Sequence, residues 1–201
     1  YVANKASNTL TVIDGATLGF TKLDAVGQPN FLAINPVTNR IYVANTTSNV
    51  VVIDGLSNKI IAKVDAGSVP YGMSVNTASN KIYVANYNRD TVTIIDGASN
   101  TSSAAKVPTG ANPRALAANP NNNKIFVAND YSNNLTVIDG ASGATSALAA
   151  KLSLPHSVVV NPGIVLGERD SKPTPSGELI VKFLNRVYPG YFDTIFCFAD
   201  V

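Results

Sequence analysis

"RIYVANTTSNVVVIDGLSNKIIAKVD", residues 40–65, holds three apolar runs separated by turn residues, and the chain writes its central phrase four times. YVAN stands at 1–4, 42–45 and 83–86, and FVAN at 126–129; IDG follows at 13–15, 53–55, 95–97 and 138–140. The intervals are 42−1 = 41, 83−42 = 41 and 126−83 = 43 residues. A period of this size marks a stacked or radial repeat architecture. The fullest repeat reads FLAIN (31–35), RIYVAN (40–45), NVVVID (49–54) and KIIAKVD (59–65). β-Branched and aromatic residues in short runs, punctuated by Asn, Gly and Pro, favour strands. No segment carries an apolar stripe of helical period long enough for a helix. The runs are almost continuously apolar, which means burial on both faces. Four antiparallel strands in each repeat of about 41 residues describe a β-propeller blade. A flat solenoid fits less well, because it does not need hairpin turns such as DGLSNK (54–59).

RIYVAN followed by VVVIDG, with PNFLAINP (29–36) ahead of it, resembles the YVTN family of β-propeller repeats over residues 1 to about 162. The resemblance implies a cell-surface, surface-layer or periplasmic protein, and hence an extracellular, cell-surface or periplasmic location. Propellers of that family usually have seven blades, and this chain has fewer. It opens on the second strand of a blade (Tyr1–Asn4), continues with a third (Leu10–Ile13) and fourth (Phe20–Asp24), and closes three blades later with an extra first strand, PHSVVVNP (155–162). The expectation is therefore an all-β, partial ring of about four blades, cut from something longer. The alternative is a closed four-bladed ring in which the last strand completes the first blade.

Composition changes after Pro162: both glutamates (Glu168, Glu178), the lone Cys197 and four of the seven Phe lie beyond it. Residues 1–162 are read as blades and 163–201 as a non-repeat C-terminal segment, a linker with possible strands that enters through KPTPSGELIVKF (172–183). A formal charge of +2 is too small to imply a nucleic-acid or membrane-surface partner through bulk electrostatics. One cysteine excludes an internal disulfide, and no Cys/His cluster has zinc spacing. No apolar run approaches the length of a membrane span.

Asp14, Asp54, Asp96 and Asp139 recur in register. Asp before Gly at a strand end accepts hydrogen bonds from the backbone ahead of it, and Gly tolerates positive φ, so these are read as turn builders. Asn45, Asn86 and Asn129 are assigned the same role after the second strand. The Tyr or Phe of the motif is expected to pack between blades. Catalytic residues, metal ligands and cofactors are not expected. His156 is the only histidine, and the repeats contain no Glu and no Asp in a first strand, the position from which propeller lactonases hold a metal.

Antiparallel order places the first-to-second and third-to-fourth turns at one end of the blades. That end is monotonous, with NPVTNR, NTASNK and NPNNNK repeating Asn39, Asn80 and Asn123. The other end varies: its loops read KASN (5–8), TTSN (46–49), YNRD (87–90) and DYSN (130–133), and the residue after the crossing proline is Asn30, Tyr71, Arg114 or His156. Loops on a rigid scaffold are where recognition residues concentrate, and Tyr and Arg are favoured anchors. The candidate ligand-binding set is Tyr71, Tyr87, Arg89, Arg114, Tyr131 and His156, and a protein or glycan is the expected partner. A purely architectural surface repeat is the alternative; a lactonase-like enzyme or a single-stranded DNA binder follows behind.

Overall fold

The structure is a computed structural model that describes residues 1–24 and 27–148. The expectations for PHSVVVNP, His156 and the segment 163–201 lie outside the described residues.

The described chain is all-β and runs as four antiparallel meanders. In the first, β1 (Val2–Asn4), β2 (Thr9–Ile13) and β3 (Phe20–Leu23) form three strands in order. The second blade is β4 (Pro29–Asn35), β5 (Arg40–Asn45), β6 (Asn49–Asp54) and β7 (Ile60–Asp65). In the third, β8 (Pro70–Asn76), β9 (Lys81–Asn86) and β10 (Thr91–Asp96) are followed by an outer strand split into β11 (Thr101–Ser102) and β12 (Val107–Pro108), both paired with β10. The fourth is β13 (Pro113–Asn119), β14 (Lys124–Asn129), β15 (Asn134–Asp139) and β16 (Thr145–Leu148). This is the arrangement of a partial β-propeller.

The 43-residue interval has a local cause. From Tyr83 to Asp96 is 13 residues against 12 from Tyr42 to Asp54, which adds one residue to the second-to-third loop of the third blade. That loop makes a single 3₁₀ turn at Tyr87–Arg89. From Asp96 to Phe126 is 30 residues against 29 from Asp54 to Tyr83, and the extra residue falls in the interrupted outer strand, where Ser103 N–H returns to the Ile94 carbonyl at 2.8 Å. First strands begin at the proline, two residues before FLAIN. The missing N–H costs nothing at a strand's first residue, and the register slips just after Pro29 and Pro113.

The core lies between blades rather than within one. Ile41, Val43, Val51 and Ile53 face Leu10 of the first blade. Their neighbours in sequence, Tyr42, Ala44, Val50 and Val52, face Met73, Ile82, Val84 and Ile95 of the third. Tyr83, Ala85 and Val92 then meet Leu116, Ile125, Val127 and Ile138 of the fourth. Alternate side chains of β5 thus serve two different cores, which is why YVA is apolar throughout. The first strands are the inner edge: β8 packs on both β4 and β13, while the contact between the outer strands β7 and β11 is much smaller. At Gly72 a Cβ would collide with the Arg114 carbonyl oxygen of β13, so side-chain atoms have no room at that contact.

Polar bonds repeat at each joint between blades. The Tyr1 hydroxyl donates to Asn58 Oδ1 (2.8 Å) and that of Tyr42 to Asn100 Oδ1 (2.9 Å). Asn35 Nδ2 donates to Asn80 Oδ1 and Asn76 Nδ2 to Asn123 Oδ1, both at 2.7 Å. Arg40 Nη1 donates to the carbonyls of Gly97 (2.6 Å) and Ala98 (3.0 Å), and Lys81 Nζ reaches the Gly140 carbonyl at 3.3 Å. At this end of the blades, the described joints therefore draw these acceptors from the monotonous turns of the following blade.

The DG turns differ from expectation in one respect. Their glycines do not adopt positive φ; the left-handed residues are Leu18, Asn58, Asn100 and Gly143, four positions after each Asp. Glycine is needed for a different reason. Gly55, Gly97 and Gly140 donate N–H to the carbonyls of Asn39, Asn80 and Asn123 at 2.8 Å, and a Cβ on any of them would clash with the Asn Oδ1. The first-to-second turn sits on the glycine. Gly15 has nothing within 4 Å of such a Cβ, because no first-to-second turn precedes β1 among the described residues.

Candidate functional site

The variable end is knitted by backbone bonds from the second-to-third loops to the interblade crossings: Thr46 N–H to Gln28 O (3.1 Å), Tyr87 N–H to Val69 O (3.2 Å) and Asp130 N–H to Asn112 O (2.9 Å). Loop and crossing form one surface.

On it, three of the sequence-selected side chains meet. The rings of Tyr71 and Tyr87 are 5.7 Å apart and tilted by 38°. The Arg114 guanidinium carbon lies 5.3 Å from the centre of the Tyr71 ring, within cation–π range. Its Nη2 is 3.5 Å from the Tyr71 hydroxyl, and its Nη1 forms a 3.2 Å ion pair with Asp130. Burial works against the charge of Arg114, but Tyr71 and Asp130 more than compensate, leaving its pKa above the ordinary value. The row Tyr87–Tyr71–Arg114–Asp130 crosses from the third blade to the fourth. Asp130 is not among the residues singled out by sequence; its place in the variable loop DYSN, opposite an Arg at the crossing, is the available signal.

Arg89 and Tyr131 lie elsewhere on this end. Tyr131 is 80% exposed and contacts neither Tyr71 nor Arg114 in the described geometry. Arg89 is exposed and lines a groove of about 530 Å³ between the second and third blades, together with Lys106.

The repeated carboxylates sit at the other end. Asp14 accepts the N–H groups of Ala16 and Thr17 (3.0 and 2.7 Å), Asp96 those of Ala98 and Ser99 (3.0 and 2.8 Å), and Asp139 those of Ala141 and Ser142 (3.0 and 2.9 Å). Asp54 accepts Ser57 N–H at 2.7 Å and Ser57 Oγ at 2.6 Å. These bonds stabilise the ionised form and hold all four pKa values below the ordinary one.

The motif asparagines divide. Asn45 accepts Thr47 N–H at 3.0 Å across a loop one residue shorter than the others. All three donate Nδ2 across the hairpin, Asn45 to Asn49, Asn86 to Thr91 and Thr93 (3.2 and 2.9 Å) and Asn129 to Asn134 and Thr136 (2.8 and 2.9 Å), but Asn86 and Asn129 accept no backbone N–H. The longer loops carry the backbone N–H groups out of reach of Oδ1, which has no hydrogen-bond partner in either residue.

Comparison with known proteins identifies the scaffold. A family model described as "Lactonase, 7-bladed beta-propeller" matches residues 7–107, which is 101 of the 201 residues. The chain belongs to this family. Solved structures with similar folds include the hydrazine synthase of Kuenenia stuttgartiensis (TM-score 0.57, 21% identity, 68% of this chain and 38% of that one). Two others are the dihydro-heme d1 dehydrogenase NirN in complex with DHE (0.62, 19%, 72% and 33%) and U3-55K (0.62, 11%, 72% and 46%). At these identities they share the fold alone. A curated protein of Synechocystis sp., "Putative dihydroflavonol 4-reductase", is 48% identical over 44 residues, 22% of this chain and 13% of that protein. The chain thus spans less than half the length of each of these proteins.

A lactonase propeller would need inward carboxylates to hold a metal. The described first strands, PNFLAIN, PYGMSVN and PRALAAN, contain none. No three His, Cys, Asp or Glu residues converge among the described residues. The described residues supply no donor set that fits a central metal.

Proposed function

We propose that the chain is a non-catalytic binding module that holds a protein or glycan partner on its variable end. The observation that carries this reading is the Tyr87–Tyr71–Arg114 row. An aromatic pair with a guanidinium over one ring, fixed from behind by Asp130, is a preorganised anchor. Such groups lose little side-chain freedom on binding, and Tyr and Arg dominate interface energetics for that reason. Among the described residues the opposite end shows no aromatic–guanidinium row, and its repeated Asp and Asn side chains are engaged in turns and interblade bonds. The resemblance to YVTN repeats supports a place outside the cytoplasm, at the cell surface or in the periplasm.

The test begins with a glycan array, followed by affinity measurements on the strongest binder. Tyr87→Ala and Arg114→Ala should each weaken binding about 30-fold, corresponding to about 2 kcal/mol, with the unfolding transition nearly unchanged. Unchanged affinity in both variants refutes the proposal. Family membership favours a second reading, lactone hydrolysis. Turnover of a simple lactone such as glucono-δ-lactone by the purified chain would move the assignment there.

A further inference from the structure

The groove between the second and third blades is separate from the aromatic row and has its own chemistry. Its cations, Arg89 and Lys106, have no carboxylate partner among the described residues, where the ion pairs are Arg114–Asp130 and Lys124–Asp139. Hydroxyls of Ser48, Ser68 and Thr91 line the same space. So does Asn86, which is 1% exposed and whose Oδ1 has no hydrogen-bond partner. The nearby carboxylates are directed to backbone: Asp65 accepts Gly67 N–H at 3.1 Å, and Asp90 accepts Asn112 N–H at 2.8 Å.

Two unpaired cations ask for an anion. The three hydroxyls both donate and accept, so they suit a ligand that carries hydroxyls as well as an oxyanion, while Asn86 Oδ1 lies beneath the groove surface, packed beside Gly67. A ligand that combines an oxyanion with hydroxyl donors satisfies the whole set, and about 530 Å³ accommodates one or two sugar rings. Resting on the reading of this end as a binding face, we propose that the groove is an acidic-saccharide subsite. Arg89 and Lys106 hold a carboxylate or sulfate ester of the sugar, and the hydroxyls of Ser48, Ser68 and Thr91 take its ring hydroxyls. Each blade holds the counterpart of Asn86, but the paired cations are particular to this joint: the residue matching Arg89 is Ser7 in the first blade, Ser48 in the second and Ser132 in the fourth.

Calorimetric titration with trigalacturonate, galactotriose and inorganic sulfate tests this, using the full chain and its Arg89→Gln/Lys106→Gln, Asp65→Asn and Arg114→Ala variants. The expected result is binding of trigalacturonate that weakens steeply with salt and falls at least 30-fold in the Arg89/Lys106 variant. It should strengthen about twofold in Asp65→Asn, which removes an opposing charge near the groove. Galactotriose should bind at least tenfold more weakly. Equal affinity for galactotriose overturns the charge role, and sulfate binding as tightly as trigalacturonate overturns the saccharide role. Trigalacturonate binding that survives in the Arg89/Lys106 variant, or no binding at all, overturns the site. If the groove binds while Tyr87→Ala and Arg114→Ala leave all affinities unchanged, the subsite stands and the aromatic row is not the anchor. Arg89 and Asp65 are exposed and Lys106 and Arg114 half-buried, so matching thermal transitions establish that each variant is folded.

Discussion

The third joint between blades lacks one bond that the first two possess, and restoring it is a sharp test of the repeat logic. Tyr1 and Tyr42 donate to the asparagine four residues after the next blade's Asp, Asn58 and Asn100. At the corresponding place for Tyr83 stands Gly143, and the buried Tyr83 hydroxyl is left beside Ser79 Oγ, its polar neighbour, without a well-formed hydrogen bond between them. Burial also raises the Tyr83 pKa. Gly143 has φ +74°, close to the 55° and 57° of Asn58 and Asn100, and nothing lies within 4 Å of a Cβ placed there. Asparagine tolerates this left-handed geometry, so Gly143→Asn should seat its Oδ1 on the Tyr83 hydroxyl. An unsatisfied buried hydroxyl costs about 1–3 kcal/mol, and placing a side chain at a positive φ takes back part of that gain. The expected gain is about 1–2 kcal/mol, a rise in melting temperature of roughly 2–8 °C for a protein of this size. Urea unfolding of the single variants Gly143→Asn and Tyr83→Phe and of their double variant isolates the pair. The gain from Gly143→Asn should be smaller by at least about 1 kcal/mol when Tyr83→Phe is also present. Tyr42→Phe is the counterpart, and should lose about 1 kcal/mol with its bond to Asn100. An equal gain from Gly143→Asn with or without the Tyr83 hydroxyl would refute the argument.

Two further outcomes follow from the turns. Asp14, Asp54, Asp96 and Asp139 have pKa values below the ordinary carboxylate value, so they bind protons less readily folded than unfolded. Their contribution is present above the unfolded pKa and is lost as pH falls through the folded values. Chemical denaturation midpoints should therefore be flat near neutrality and decline below about pH 4, and less steeply in Asp54→Asn; a midpoint rising as pH drops would contradict this. The monotonous end is not neutral to mutation either. Asn80→Ala removes the acceptor of Asn35 and a left-handed residue at φ 51°, and should destabilise by about 1–2 kcal/mol in urea unfolding. A loss below about 0.5 kcal/mol would mean the interblade amide pair is dispensable. Asn39, Asn80 and Asn123 are thus unsuitable as inert controls for binding experiments.

The repeat, the strands and the identity of the two ends were legible in the residues. A 41-residue period with four apolar runs per copy leaves few architectures, and antiparallel order alone sorts the loops onto opposite ends. Continuous apolarity in RIYVAN already meant that both faces of the blade are covered, because alternate side chains in a strand point to opposite sides. The conformation of the DG turns was not legible. Both a left-handed glycine and a close approach demand glycine, and only the seating of Asn39 on Gly55 separates them. Nor could sequence say that Tyr42 reaches Asn100, 58 residues away, or that Arg114 lies over Tyr71 while Tyr131 does not. Those pairings depend on the rotation and offset of one blade against the next, which are fixed by interblade packing of Met73, Ile82, Leu116 and Ile125 rather than by any local pattern. The groove is the extreme case. Ser48, Gly67, Arg89 and Lys106 come from two blades and the crossing between them, and they share one space only because two sheets of fixed internal register are stacked at one particular offset.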